Sequence, residues 1–587
     1  MTHMNISSFL AALLLVSTAW AQGVGNNRDL MLSTTFAQGL PSAAAKYMPG
    51  AGTLNLAVTS PAGSQSSAPL LVGLDLRPRS DFASSLQLPN EVDAIGLSSN
   101  LVVFLDGTGL GLGMISVPTT VGATGWQFSL PLPDLRQMGS PSLRIAAFCL
   151  DSGAPNGFAI SRTVRHDVEC FTSQSMLTGT QYAASTIMGY GTEVADINND
   201  GFADVLAGMP QADPLGVTNC GEVRVFTGPG LNLATTLIPP TPQANAWFGQ
   251  LVRCGDVTGD GIADLLVGAR QEDVNGLVDA GAVYVYPGPS FTAPIRVIGP
   301  APEAGARFGH SICVTDWNGD GLGDLVVGAP KASVGAAVQA GKVFVFNCAT
   351  FNCVVTLENP LPAFGAKFGY ALAGGDMNGD GLGDVAACVP YHDVGVNDDT
   401  GGMAIYFAPA TTPAVFYTQP FDNGAVLGDA VVRADFNADG FQDLAVGSEF
   451  DDHGAQDGGS VHLVWGPTFT QSTEVSSPEA SVLGGFGSDV SAGDVNRDGF
   501  VDLIAGEFYA DPLGVLDAGQ CWVAFGPHFD SMLKVVPADA NIGANAGRRV
   551  ACGDTNGDGF ADMVFGAPLS APGGNVNNDE GAIYIAR

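Results

Sequence analysis

The chain has 587 residues and carries 22 Lys and Arg against 58 Asp and Glu, a net charge of −36 that argues against a nucleic-acid or anionic-membrane partner. Its 79 Gly and 36 Pro, without long helical periodicities, indicate many strands and turns. The length exceeds one ordinary core and suits several domains or one large repeat array.

Residues 1–21 read as a signal peptide. Phe9 to Val16 is a short apolar core, and Ala19-Trp20-Ala21 fits the small-x-small cleavage rule, although His3 is the only basic-type residue ahead of it. No later stretch is apolar enough to span a bilayer. The expected location is secreted or extracytoplasmic, at a cell surface or in a periplasm. Ten cysteines are compatible with disulfides there, with Cys348–Cys353 the best pair and Cys149–Cys170 the second. Cys254 and Cys552, each two residues ahead of an Asp-rich loop, read as buried thiols.

Residues 22–170 hold apolar runs separated by turn clusters: 54–59, 69–76, 101–105, 126–130 and 143–148. The pattern predicts a small all-β, sandwich-like domain, with no nucleophile motif or metal spacing in it.

From 174 to 587 the chain is one repeat. A nine-residue stretch opens at Asp196, Asp256, Asp316, Asp376, Asp435, Asp494 and Asp554, at spacings of 60, 60, 60, 59, 59 and 60. Position 3 is Asn198, Thr258, Asn318, Asn378, Asn437, Asn496 and Asn556; position 5 is Asp200, Asp260, Asp320, Asp380, Asp439, Asp498 and Asp558. Position 9 is Asp204, Asp264, Asp324, Asp384, Asp443, Asp502 and Asp562, and position 6 is always Gly. Hard oxygen donors on a tight turn suit Ca²⁺ better than a softer metal. The backbone carbonyls at position 7 (Phe202, Ile262, Leu322, Leu382, Phe441, Phe500, Phe560) would bring each set to six or seven ligands. A helical EF-hand is excluded, because position 12 holds Ala, Val or Phe where a bidentate Glu is needed. Three Asp in each of seven loops account for 21 of the 58 acids, and up to seven structural Ca²⁺ would offset +14 of the charge.

Each loop is followed by a buried apolar run such as Leu265-Leu266-Val267, so it joins two strands. The second unit continues with Ala282 to Tyr286 and then Ile295 to Ile298, which makes four short antiparallel strands in about 60 residues. Radial repetition of such sheets is a β-propeller. The seventh unit ends after its third strand, at Ala582 to Ile585. Leu177 precedes Met188 by 11 residues, as Leu237 precedes Phe248, so a strand near 175–179 is expected to complete the last blade. The fold expected is all-β, a seven-bladed propeller after a small sandwich-like domain.

The unit Phe308-Gly309, Asp316 to Asp324, Gly328-Ala329-Pro330 resembles the FG-GAP repeat of the integrin alpha-subunit head. The resemblance implies a seven-bladed propeller with Ca²⁺ in the loops between first and second strands, and it suggests adhesion. Met188, Leu427 and Ala546 depart from the leading Phe, Thr258 from Asn, and Cys388-Val389-Pro390, Gly447-Ser448-Glu449 and Gly506-Glu507-Phe508 from Gly-Ala-Pro. Connections on the face opposite the Asp loops, such as 271–279 and 391–399, are long and varied, which is where binding usually sits on a rigid scaffold. His392 and His453 lie among Asp residues there and read as solvated loop polarity. With no catalytic constellation in the sequence, the function expected is extracellular recognition or adhesion by a monomer that binds a protein or glycan. The alternatives are a secreted glycan lyase or hydrolase, or a structural envelope component.

Overall fold

The computed structural model describes the strand backbones of residues 31–168, residues 171 and 173–178, and residues 185–587 except 396, 419–423, 453–454, 480–481 and 573–578. The signal-peptide assignment and His453 fall outside the described residues. The chain divides into two compact units at Thr172/Ser173.

The described residues of the N-terminal unit form strands in two sheets. One sheet joins Met31–Phe36, Gly52–Thr59 and Trp126–Leu132; the other runs Lys46–Met48, Val164–Val168, Ser142–Leu150, Leu70–Arg77 and Leu101–Asp106, with Phe158–Ile160 added beside Ser142–Leu150.

The second unit is a seven-bladed β-propeller of four-stranded antiparallel sheets. In the third blade the strands are Ser311–Thr315, Asp324–Ala329, Lys342–Asn347 and Asn352–Glu358, paired in that order. Burial grades outward along each sheet. Asp324–Ala329 is buried at every position, whereas Asn352–Glu358 alternates between exposed and covered. A strand covered on both faces has no polar side, which is why the second strands read as unbroken apolar runs. In the seventh blade Gln174–Thr178 supplies the outer strand, pairing antiparallel with Ala582–Ala586 so that Met176 faces Tyr584. Ser173 and Arg587 exchange two backbone hydrogen bonds of 3.0 and 2.9 Å beyond that pairing.

The core lies between blades. Phe308 wedges between Val283 and Val285 of the second blade and Leu325 and Val327 of its own, and Phe248 and Phe368 do the same at their seams. Met188 and Leu177 join Val564, Ile583 and Ile585 to close the ring between blades seven and one. The first strands touch one another in succession around the axis, and that of the seventh blade (Arg549–Gly553) meets that of the first (Gly191–Ala195). Glycine sets this closeness. A Cβ on Gly268 would lie 2.4 Å from the Gly309 carbonyl oxygen, and one on Gly566 would lie 2.1 Å from that of Gly189.

One expectation fails within these blades. Cys348 and Cys353 are both free thiols. The hairpin register pairs Phe346 with Cys353, the Cys348 thiol turns to the Phe346 carbonyl at 3.8 Å, and the Cys353 thiol turns to the Val355 carbonyl at 3.3 Å. Two neighbours in sequence thus point to separate acceptors. The side chain of Cys149 and all of Cys170 lie outside the described residues. Among the described residues, no helix is long and apolar enough to cross a membrane.

Candidate functional site

Each Asp-rich loop is a turn built from its own side chains. In the fourth blade the Asp376 carboxylate accepts the N–H groups of Gly379, Asp380 and Gly381 at 2.7, 3.1 and 2.9 Å. Asn378 Oδ1 accepts the Asp380 N–H at 2.8 Å, and Asp380 Oδ1 accepts that of Leu382 at 2.9 Å. The chain turns through left-handed backbone at positions 4 and 6, with φ of 80° at Gly379 and 88° at Gly381. A Cβ on Gly381 would meet nothing within 4 Å, so position 6 is Gly for its dihedral rather than for space. Position 4 tolerates Asn199, Ala438 and Arg497 at φ of 57–62°.

The ninth position has a separate task that sequence reasoning did not reveal. Asp384 is fully buried; its Oδ2 accepts the Met377 and Asn378 N–H groups at 2.8 and 3.3 Å, and its Oδ1 accepts the Ala408 N–H at 3.0 Å, 24 residues on. The equivalent long-range bond reaches Gly228 from Asp204, Gly288 from Asp264, Cys348 from Asp324, Gly466 from Asp443 and Gly526 from Asp502. This carboxylate ties the start of the second strand to the end of the third.

Burial, followed by the charges of Asp320 and Asp316, raises the Asp324 carboxyl above the usual carboxylate range; burial, with Asp200 and Asp196 adding to it, does the same at Asp204. Burial chiefly pushes Asp443 and Asp562 up to about 6. The loops therefore hold like charges whose mutual repulsion a divalent cation would relieve, and every donor is a hard oxygen. The residues fit Ca²⁺ on both counts. Among the described residues, however, no group of three or more His, Cys, Asp and Glu side chains is arranged to hold an ion. Asn and backbone oxygens would have to complete any site.

Two loops differ. Thr258 donates its hydroxyl to Asp264 Oδ1 at 3.3 Å, whereas Asn378 accepts a loop N–H at the same position. In the seventh, Arg587 Nε lies 3.8 Å from Asp562 Oδ2 and partly compensates the charge.

The opposite face carries a cluster around the axis. A first strand of five residues spans about 17 Å, and it separates the residue after Phe-Gly from the Asp loop. That residue is Tyr190, Gln250, His310, Tyr370, Asp429, Ser488 or Arg548. Contacts run from blade to blade. Tyr190 meets Trp247 edge-on at 6.0 Å between ring centroids, and the Arg270 guanidinium lies 5.3 Å from the Trp247 ring. Arg270 Nη1 is 3.1 Å from His310 Nδ1, and His310 lies 4.5 Å from Tyr370. Tyr370 meets Tyr391 at 6.2 Å, with Lys367 Nζ 3.5 Å over the Tyr391 ring. On the other arc, Arg548 Nη1 lies 3.6 Å from Glu449 Oε2 and its guanidinium 4.5 Å over Phe508, while Arg549 pairs with Asp489 at 3.3 Å.

The electrostatics are as mixed as the residue types. Burial opposes ionisation of Tyr190, yet Arg270, Arg548 and Arg549 together bring its phenol below the ordinary value. Burial, reinforced by Arg270, holds His310 well below its usual range and therefore neutral. Burial and then Asp429 push the Glu449 carboxyl up, and burial raises Asp429 itself. Tyr370 is raised first by Asp429 and then by burial. His392 stands apart from this cluster, its ring edge-on to Phe416 at 5.1 Å and its pKa lowered by burial.

A sequence signal for this cluster exists. Arg270, Glu449 and Phe508 occupy the place of Pro in Gly-Ala-Pro, so departures from the repeat frame mark the axial residues.

Fold and loops together define a β-propeller whose blades each carry an oxygen-rich turn. The FG-GAP repeat family matches residues 188–226, 248–286, 308–346 and 546–585, and the FG-GAP-like repeat matches 435–505. The chain carries FG-GAP repeats, and its ring resembles the integrin alpha-subunit head. It is 32% identical to integrin alpha-V of Gallus gallus over 28% of this chain and 16% of that protein. It is 28% identical to integrin alpha pat-2 of Caenorhabditis briggsae over 34% of this chain and 18% of that protein. It is 31% identical to phosphatidylinositol-glycan-specific phospholipase D of Bos taurus over 33% of this chain and 25% of that protein. The chain thus spans a quarter or less of the length of these relatives.

Proposed function

We propose that the protein is a secreted or surface-associated, calcium-stabilised propeller for extracellular recognition or adhesion, with a protein or glycan ligand on the face opposite the Asp loops. The observation that carries this reading is the division of labour between the faces: seven near-identical oxygen-rich turns on one, and a chemically mixed axial cluster on the other. Likeness to integrin alpha subunits supports the extracellular setting.

In this reading Ca²⁺ is held by positions 1, 3, 5 and 9 and the carbonyl at 7, and it supplies charge neutralisation that stiffens the corner between first and second strands. The loop holding Thr258 and the loop compensated by Arg587 bind it least tightly. Residues 1–21 act as the signal peptide, 22–170 as a separate β domain and 174–587 as a monomeric propeller. Mass spectrometry of the secreted chain tests the first point by its mature N-terminus.

The functional test screens the purified protein against glycans and extracellular proteins, with and without Ca²⁺. The captured ligand is expected to be lost on exchanging the 271–279 and 391–399 connections and retained on exchanging one Asp loop. The reverse pattern contradicts the reading.

A glycan-cleaving enzyme is the second reading, and one observation favours it. Asp429 and Glu449 converge near the axis with both carboxyls raised, as a general acid requires. Cleavage abolished by Glu449→Gln with binding intact would establish it.

A further inference from the structure

Cations are scarce in this chain, 22 in 587 residues, yet Arg270, Arg307, Lys331 and Lys367 lie close together on blades two, three and four, near His310 and the Trp247 and Tyr391 rings. Among the described residues, none of the four has a carboxylate within ion-pair distance. Their charges act on one another. Burial lowers Arg270, Lys331 and Lys367; Arg307 adds to this at Arg270 and Lys331, and Lys331 adds to it at Lys367, against Tyr190 at Arg270, Asp279 at Lys331 and Asp399 and Asp429 at Lys367. The Nε of Arg270 is buried without a hydrogen-bond partner. Across the axis the charges are balanced, because Arg548 faces Glu449 and Arg549 faces Asp489. The arc from Arg270 to Lys367 is therefore a positive strip on a strongly negative protein, offset only from beyond ion-pair distance by Asp279, Asp399 and Asp429.

Aromatic rings accompany the strip. Trp247, Tyr370 and Tyr391 are half-buried and tied into it through Arg270, His310 and Lys367.

We propose that this arc binds an acidic saccharide, a glycan whose sugar units carry carboxylate or sulfate groups. A single anionic group occupies one guanidinium fork, whereas four cations spread over three blades, without an ion pair among the described residues, match several anionic groups in a row. The rings offer flat apolar surfaces to the C–H faces of a pyranose, while acidic peptide side chains would use the cations and leave the rings idle. The net charge of −36 repels polyanions elsewhere on the surface and confines them to this strip. The assignment rests on the recognition reading above and names the ligand class for that face.

The test is calorimetry on the full Ca²⁺-loaded chain with four probes: a uronic-acid hexasaccharide, a sulfated one, the carboxyl-reduced neutral counterpart and a Glu hexapeptide. At least one acidic sugar should bind, with affinity falling as salt rises, and the neutral sugar and the peptide should bind at least tenfold more weakly. The better of the two acidic sugars identifies the anionic group. The double variant Lys331→Gln/Lys367→Gln should lose at least tenfold with its melting temperature unchanged. Lys342→Gln, in a third strand where Lys342 pairs with Glu358, should bind as the parent does. Equal binding of the neutral sugar, tighter binding of the peptide, an unaffected double variant, or no binding of either acidic sugar at millimolar concentration overturns the assignment. A screened ligand that binds this face of the double variant as tightly as the parent leaves the recognition reading standing and removes only the acidic saccharide.

Discussion

Replacing Asp384 with Ala takes one carboxylate from the fourth blade and strands the three N–H groups it accepts, those of Met377, Asn378 and Ala408. Met377 and Ala408 are buried, so water cannot replace the lost partner without opening the blade. A hydrogen bond to a charged acceptor is worth about 1.5–3 kcal/mol. Two good bonds and one long one therefore set a gross cost of several kcal/mol. Burial of the carboxylate, which pushes its pKa up, offsets part of that. A net local cost of about 3 kcal/mol remains, which is roughly a 100-fold rise in the opening equilibrium. Asp380→Ala is the contrast. Its carboxylate accepts one loop N–H, from Leu382 at 2.9 Å, and the Asn378 amide at 2.9 Å, both in exposed surroundings. Without Ca²⁺ its removal should cost no more than about 1 kcal/mol. Hydrogen exchange read by mass spectrometry over residues 376–388 and 403–410, in chelator, separates the two. Loss of protection at Met377 and Ala408 should be large in the Asp384 variant and slight in the Asp380 variant. Equal losses would refute the claim that the ninth residue braces the blade independently of any metal.

Three further outcomes are expected. Chelation should lower the melting temperature markedly and Ca²⁺ should restore it; an unchanged transition removes the metal. In Ca²⁺, Asp320→Ala should destabilise the third blade more than Asp279→Ala, because Asp320 accepts the Leu322 N–H within the loop and is a proposed Ca²⁺ ligand, while Asp279 lies in the opposite connection, engaged through its backbone N–H to Asp273. Denaturant midpoints compare them, and equal shifts would reduce the loops to hydrophilic turns. For pH, folded Glu449 keeps its proton up to about 8, against 4.5 when unfolded, through burial and then Asp429. The folded chain thus binds more protons across that window, so this group's contribution to stability falls as pH rises from 4.5 to about 8. Glu449→Gln should flatten the decline in Ca²⁺-saturated protein, and an unchanged slope would contradict the cause.

The ring is legible in the sequence because a blade must present the same turn and the same buried second strand each time it recurs. An Asp followed by an apolar run, as in Asp264 then Leu265-Leu266-Val267, occurs seven times at nearly constant spacing and leaves few other architectures. Two things resist such reading. The brace at position 9 depends on a backbone N–H 24 residues away, as at Asp264 and Gly288, and nothing in Gly288 marks it as a donor. Cys348 and Cys353 look paired by proximity, but the strand register between them turns the thiols to different carbonyls. The axial cluster lies between these cases. Arg270, Glu449 and Phe508 are visible as departures from Gly-Ala-Pro, yet their partners are a property of the ring, which brings Arg548 of the seventh blade against both Glu449 and Phe508 and Arg270 against His310.

Equilibrium dialysis of chelator-stripped protein against rising Ca²⁺, with bound ion counted per chain, bears most directly on the calcium-braced propeller. Up to seven ions are expected, one for each Asp-opened turn, with the Thr258 and Arg587 loops filling last. A chain that takes up no Ca²⁺ at millimolar concentration, while its blades remain folded, would contradict it.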